Sequence, residues 1–118
     1  MDLYVHSAGD FKPPIKISKL PSVYVIATHG FEFIKIGKTK SIKQRLGNLQ
    51  SGCPFFLFLW CGIRSPKINE IEKELHSMMS HCRIRGEWFS PTHEDLDKIF
   101  DYCKLTNQNV KGVVDALL

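Results

Sequence analysis

The sequence predicts an α+β fold, and three patterns lead there. Residues 23–27 (Val-Tyr-Val-Ile-Ala) and 33–38 (Phe-Ile-Lys-Ile-Gly-Lys) are β-type runs on either side of a short segment containing Gly30, the pattern of a hairpin. Residues 55–61 (Phe-Phe-Leu-Phe-Leu-Trp-Cys) are apolar without alternation, as expected of a well-buried strand. Between and after these runs, apolar residues recur at the i, i+3, i+4, i+7 spacing of amphipathic helices.

A chain of 118 residues makes one domain with a real core. Its 43% hydrophobic and 24% charged residues exclude disorder, and with no run of 18 apolar residues a membrane span is not expected. The net charge of +4 is modest, but Lys35, Lys38, Lys40, Lys43 and Arg45 crowd into one turn and half a helix. Such a patch is the footprint of a phosphate-bearing partner, with a solvated lysine face as the alternative. The four cysteines, at 53, 61, 82 and 103, have the wrong spacing for a zinc site, and nothing resembles a secretory signal. Reduced, mostly buried thiols in an intracellular protein are expected.

Residues 1–20 read as a basic N-terminal arm or extension, with a short strand possible at Leu3-Tyr4-Val5 and a break at Pro13-Pro14; residues 21–118 read as a single domain with C-terminal helices. A hairpin turn centred on His29-Gly30 sets Tyr24 opposite Lys35 across the ladder. Gly37-Lys38-Thr39 is not a phosphate loop, because the glycine required five residues earlier is Glu32. Ser41 caps a helix running to about Gln50 and stopped by Gly52 and Pro54. Its stripe of Ile42, Arg45, Leu46 and Leu49 contains an arginine where packing would take leucine. A buried guanidinium is costly unless paired or aimed at a ligand, and the alternative is that Arg45 snorkels off the stripe edge. The strand at 55–61 is followed by a helix from Ser65-Pro66 to near Cys82, with a stripe of Ile68, Ile71, Leu75, Met78, Met79 and Cys82. Glu72 and His76 fall one turn apart at the margin of that stripe. Residues 81–89 return to the core through Trp88-Phe89, with Arg83 and Arg85 adding positive charge. Thr92 and Asp95 form a capping box for a helix to about Lys104, and a last helix carries Val110, Val113, Val114 and Leu117.

Ser22-Val23-Tyr24, Lys35-Ile36-Gly37, the Gln44-Arg45-Leu46 helix, Glu72 with His76, and Gly86-Glu87-Trp88-Phe89 follow one another in an order that resembles the GIY-YIG nuclease superfamily. The Lys-Ile-Gly form of the second triplet is similar to a branch found in phages and large viruses and described as a DNA-binding domain. The resemblance covers residues 23 to 100. It implies a small three-stranded antiparallel sheet flanked by helices, cutting phosphodiester bonds with one Mg²⁺ or Mn²⁺ ion. Tyr24 matches the tyrosine that activates water, Arg45 the arginine that holds the scissile phosphate, and Glu72 the metal-binding carboxylate.

The residue types suit that chemistry. Mg²⁺ needs only one or two protein carboxylates. An ammonium beside a phenol, as Lys35 beside Tyr24, favours the phenolate and general-base work. A guanidinium grips phosphate with two parallel hydrogen bonds. His76 is a candidate general acid or substrate ligand, or else a structural hydrogen bonder. Lys38, Lys40, Lys43, Arg83 and Arg85 are the candidate nucleic-acid contacts. The second-triplet tyrosine is replaced by Lys35, the family's late asparagine is not evident, and Glu87, near where it would be sought, reads as bracing a loop. The expected function is a metal-dependent endonuclease on double-stranded DNA. The alternatives are a DNA-binding module on the same fold that does not cut and a small viral or phage protein-interaction factor.

Overall fold

The computed structural model describes the strand Asp2–Val5 and residues 21–106. The helix expected beyond residue 106 and most of the N-terminal arm lie outside the described residues. Six strands, β1 (Asp2–Val5), β2 (Ser22–Thr28), β3 (Ile34–Thr39), β4 (Leu57–Arg64), β5 (Arg83–Arg85) and β6 (Trp88–Phe89), form one sheet in the order β1-β4-β2-β3-β6-β5. Every neighbouring pair is antiparallel. The three-stranded antiparallel sheet expected from the sequence is its centre, β4-β2-β3. β1 lengthens one edge, and the β5–β6 hairpin lengthens the other.

Three helices cover the sheet: α1 (Ile42–Ser51), α2 (Ile68–Met78) and α3 (His93–Thr106). Val23, Val25, Ile36, Phe58, Cys61 and Ile63 point to one face, where they bury Ile71, Leu75, Met79, Ile99 and Cys103 of α2, the turn after it and α3. Tyr24, Ile26, Leu57 and Leu59 point to the other, against Ile42 of α1. Alternate residues of β2 thus serve opposite cores, which is why all seven of its residues are buried. No described helix is long and apolar enough to cross a membrane.

The hairpin between β2 and β3 is longer than the turn chemistry indicated. The Phe31 amide donates to the Thr28 carbonyl (2.9 Å), and Gly30 supplies φ +86° in that turn. Phe31 also has positive φ, 61°. Thr28 closes the loop on Phe33 through both its amide (3.0 Å) and its hydroxyl, which accepts from the Phe33 amide (3.0 Å). The register therefore pairs Tyr24 with Gly37 and Ile26 with Lys35, so Tyr24 and Lys35 share a face as diagonal neighbours rather than a direct pair.

The strand expected at 55–61 starts at Leu57. The Gln50 side chain holds the preceding loop off the sheet, donating to the Phe55 carbonyl (2.9 Å) and accepting from the Leu57 amide (2.7 Å). α1 starts and stops as expected: the Ser41 hydroxyl accepts from the Gln44 amide (3.3 Å), and Gly52 ends it. α2 begins later than Pro66, because the Ser65 hydroxyl turns back to accept from the Lys67 amide (3.0 Å), and a 3-10 turn (Ser80–Cys82) succeeds it. The cysteines form no disulfide among the described residues; Cys61 and Cys103 are buried, and Cys53 and Cys82 are half-buried.

The capping box before α3 is present: the Thr92 amide donates to Asp95 Oδ2 (2.9 Å) and the Asp95 amide to Thr92 Oγ1 (3.2 Å). His81 Nε2 lies 2.8 Å from Asp95 Oδ1. Burial pushes the Asp95 carboxyl up, but the Thr92 and His81 bonds outweigh it and hold the group below its ordinary value. A depressed carboxyl contributes stability that is complete above its unfolded pKa, about 3.9. That contribution is lost as pH falls through the folded value. Asp95→Asn is accordingly expected to cost about 1–3 kcal/mol at pH 7. It should also weaken the pH dependence below about pH 4, as thermal unfolding at pH 7 and pH 3 will read.

Candidate active site

Tyr24 sits in the middle of β2 with a glycine as its neighbour on each side, Gly37 of β3 and Gly62 of β4. The glycine on β4 is there because of a bulge. Val25 pairs with Cys61 and Ile26 with Leu59, so Trp60 is an extra residue that brings Leu59 and Gly62 to the same face. With no side chain at Gly37, the phenol tip of Tyr24 lies across β3. A Cβ at Gly37 would overlap the Tyr24 hydroxyl, approach Cζ to 2.7 Å and reach Glu87 Oε1 at 3.1 Å. The phenol and the Glu87 carboxylate therefore meet over Gly37. Gly37→Ala is expected to displace the fully buried Tyr24 ring, lowering stability by about 1–3 kcal/mol and shifting the tyrosine signal in near-ultraviolet circular dichroism.

β6 pairs with β3 only at Ile34 and Lys35, after which the Ile36 amide donates to the Glu87 carbonyl (3.0 Å). This brings Glu87 to the edge of β3, where its Oε1 lies 3.1 Å from Lys35 Nζ. Lys35 Nζ is also 5.5 Å from the centre of the Trp88 ring. From the other layer, α2 sends Glu72 and His76 to the same edge. The ring nitrogen His76 Nε2 bonds the Ile36 carbonyl at 2.8 Å, so it carries the proton, and Nδ1 accepts from Arg83 Nη2 at 3.1 Å. Glu72 Oε1 is 3.8 Å from Lys38 Nζ, which donates to Asn69 Oδ1 at 2.6 Å. Glu72 Oε2 and the Tyr24 hydroxyl are both buried, and neither has a hydrogen-bond partner among the described protein groups.

Burial pushes the Tyr24 phenol up to about 12, the Glu87 carboxylate adds to it, the Arg45 guanidinium opposes it, and Glu72 adds a further upward push. Groups from α1, α2 and the β5–β6 turn thus act on one hydroxyl. The sequence reading had Lys35 lowering this pKa; instead its ammonium is engaged by Glu87. Glu72, His76 and Glu87 each bring one ligand-capable atom to within 4.8 Å of the others. Both His76 nitrogens are occupied, so the two carboxylates are the available oxygen donors. Oxygen donors with an orphaned lone pair fit a hard divalent cation.

The T5orf172 domain matches residues 22–104, well over half of the chain. The chain belongs to the T5orf172 domain family. This phage-associated domain is found in GIY-YIG- and HNH-like nuclease contexts. No curated protein and no solved structure matches the chain.

The matched T5orf172 region contains every candidate site residue. Five of the expected residues, Tyr24, Lys35, Arg45, Glu72 and His76, gather around the β3 edge. Arg45 is a correction in one respect: it does not fill a core slot in α1 but is exposed at the stripe's margin, where its field still reaches Tyr24. Lys38, Lys40 and Arg45 line a groove between the end of β3 and α1, and Lys43 is exposed on the same helix. Arg83 and Arg85 are exposed on β5, Arg83 serving chiefly to hold His76. Glu87, which the sequence marks only as bracing a loop, acts on Tyr24 more strongly than Glu72 does and lies over Gly37. Asn69, the partner of Lys38, was not singled out at all.

Proposed function

We propose that this T5orf172 domain is a metal-dependent endonuclease that hydrolyses phosphodiester bonds of DNA. One observation carries the reading: two buried polar atoms without hydrogen-bond partners among the described residues, the Tyr24 hydroxyl and Glu72 Oε2, belong to groups close enough to interact electrostatically. A chain that only had to fold would pair such atoms or bury none. The family's occurrence in nuclease contexts and the basic groove that Arg45 lines support the same class of partner.

In this reading Glu72 and Glu87 hold one Mg²⁺ or Mn²⁺ ion. When bound, the ion supplies positive charge that offsets the two carboxylates, polarises the phosphate and stabilises the leaving oxygen. The chain's own groups do the rest. The Tyr24 oxygen, with no hydrogen-bond partner among the described residues, is the general base in its phenolate form: it first gives up its own proton to solvent and then accepts one from the attacking water. Lys35 positions Glu87 through their 3.1 Å ion pair. Arg45, exposed and beside the groove, grips the scissile phosphate and opposes the charge that grows on it. His76, fixed by Ile36 and Arg83, clamps α2 to β3 so that Glu72 is held over the edge.

A second reading, a DNA-binding module without turnover, is favoured by the phenol's rise to about 12. It predicts salt-sensitive binding with no cut product. Incubating supercoiled plasmid with the protein and Mg²⁺ or Mn²⁺, beside Glu72→Ala, separates the two. Nicked circles from the unmodified protein alone are expected, and equal or no nicking by both proteins counts against cleavage.

A further inference from the structure

We infer that the cleft beside the candidate active site receives a single unstacked DNA base, which makes the substrate class DNA with an unpaired or displaced nucleotide. The inference rests on the DNA reading above and adds what that reading lacks, a means of choosing where to act.

The cleft lies between the loop after α1 and the β5–β6 hairpin, lined by Leu49, Pro54, Phe55, Ile84, Arg85 and Trp88. Its volume of about 580 Å³ is in the range of small-molecule sites and takes a nucleobase with room for its sugar. Phe55 is 60% exposed and Ile84 53% exposed, on opposite rims. Their exposure is built in. The Gln50 side chain bonds the carbonyls of Cys53 and Phe55 and the amide of Leu57, locking the loop with Phe55 turned out of the core. An aromatic face held rigidly in solvent forgoes burial worth about 1.5–3 kcal/mol, and a stacking platform is a use for it.

Position and charge commit the cleft to a base. Trp88, which lines it, also lies under Lys35, whose partner is Glu87 of the candidate site. Asn48 and Leu49 belong both to this cleft and to the basic groove of Lys38, Lys40 and Arg45. The surface therefore runs from a cationic track past Asn48 and Leu49 to an apolar slot that Arg85 also lines. A nucleic-acid strand has the matching sequence of chemistry, anionic backbone and then flat π-face.

The test uses the full chain in EDTA, so that no cleavage is required, with fluorescent oligonucleotides read by polarisation. A duplex carrying one bulged nucleotide should bind about tenfold more tightly than the matched duplex, the size expected of one base–aromatic stack. Phe55→Ala and Ile84→Ser should each erase that difference while keeping matched-duplex affinity. Lys40→Ala and Lys43→Ala should weaken both probes alike. Equal binding of the two duplexes by the unmodified protein, or a preference untouched by Phe55→Ala, overturns the base cleft and leaves DNA binding standing. Failure to bind any probe overturns the DNA reading and the cleft with it. If Phe55→Ala instead changes the oligomeric state and leaves both affinities as they were, the cleft is an interface between copies and the inference falls.

Discussion

Glu72→Gln is expected to reduce metal-dependent plasmid cleavage by on the order of 10³-fold, because the metal's share of transition-state stabilisation is several kcal/mol and each 1.36 kcal/mol is tenfold in rate. The change is nearly isosteric and removes a charge from a half-buried position whose Oε2 has no hydrogen-bond partner among the described residues. Folding should be nearly unaffected, since the ion pair that is lost, Glu72 Oε1 to Lys38 Nζ, is long at 3.8 Å and its lysine is exposed. Loss of cutting with an unchanged unfolding midpoint identifies Glu72 as functional. A drop in both would instead assign it a role in packing α2 on β3, where Lys38 is its contact.

The second large effect concerns Tyr24. Tyr24→Phe deletes one hydroxyl from a residue that is 0% exposed and leaves the ring packed between Gly37 and Gly62. Removing a buried oxygen without a hydrogen-bond partner among the described residues should raise stability by about 1 kcal/mol, a gain of several degrees in Tm for a domain of this size. Cleavage should fall by about 10²–10⁴-fold, the usual share of a proton-transferring group. A residue that stabilises the fold when its polar atom is removed is present for some other reason. A destabilised Tyr24→Phe protein would show that the hydroxyl has a structural partner, and a fully active one would remove Tyr24 from the chemistry.

The local signals were legible in the sequence, and the register was not. Ser41, Gly52 and the Thr92–Asp95 box mark helix ends through bonds made within three or four residues, so spacing alone reveals them. The three central strands were equally visible in their apolar runs. The hairpin register slipped because Thr28 and Phe33 close a longer loop, with Phe31 in a left-handed conformation that its side chain does not advertise. For the same reason Gly37 could be read as a motif letter but not as the space that lets the Tyr24 phenol cross β3. Phe55-Phe56 looked like strand because nothing nearby reveals that Gln50 will hold the loop away from the sheet. Glu87 was undervalued because its role depends on β6 pairing with β3, some fifty residues earlier in the chain. The alternation Glu87-Trp88-Phe89 next to Gly86 was the available clue to a short hairpin there. Arg45 showed the limit of stripe reasoning: α1 buries only Ile42 fully, so its flank is open to solvent and an arginine is affordable there.

The account depends on a divalent cation bound at Glu72 and Glu87, beside Tyr24. Calorimetric titration of Mn²⁺ into the metal-free protein measures this without any substrate. The expected result is one ion per chain in the unmodified protein, the same stoichiometry in Tyr24→Phe, and no binding in Glu72→Gln. An unmodified protein that takes up no Mn²⁺, or a Glu72→Gln protein that binds it equally well, would contradict the account.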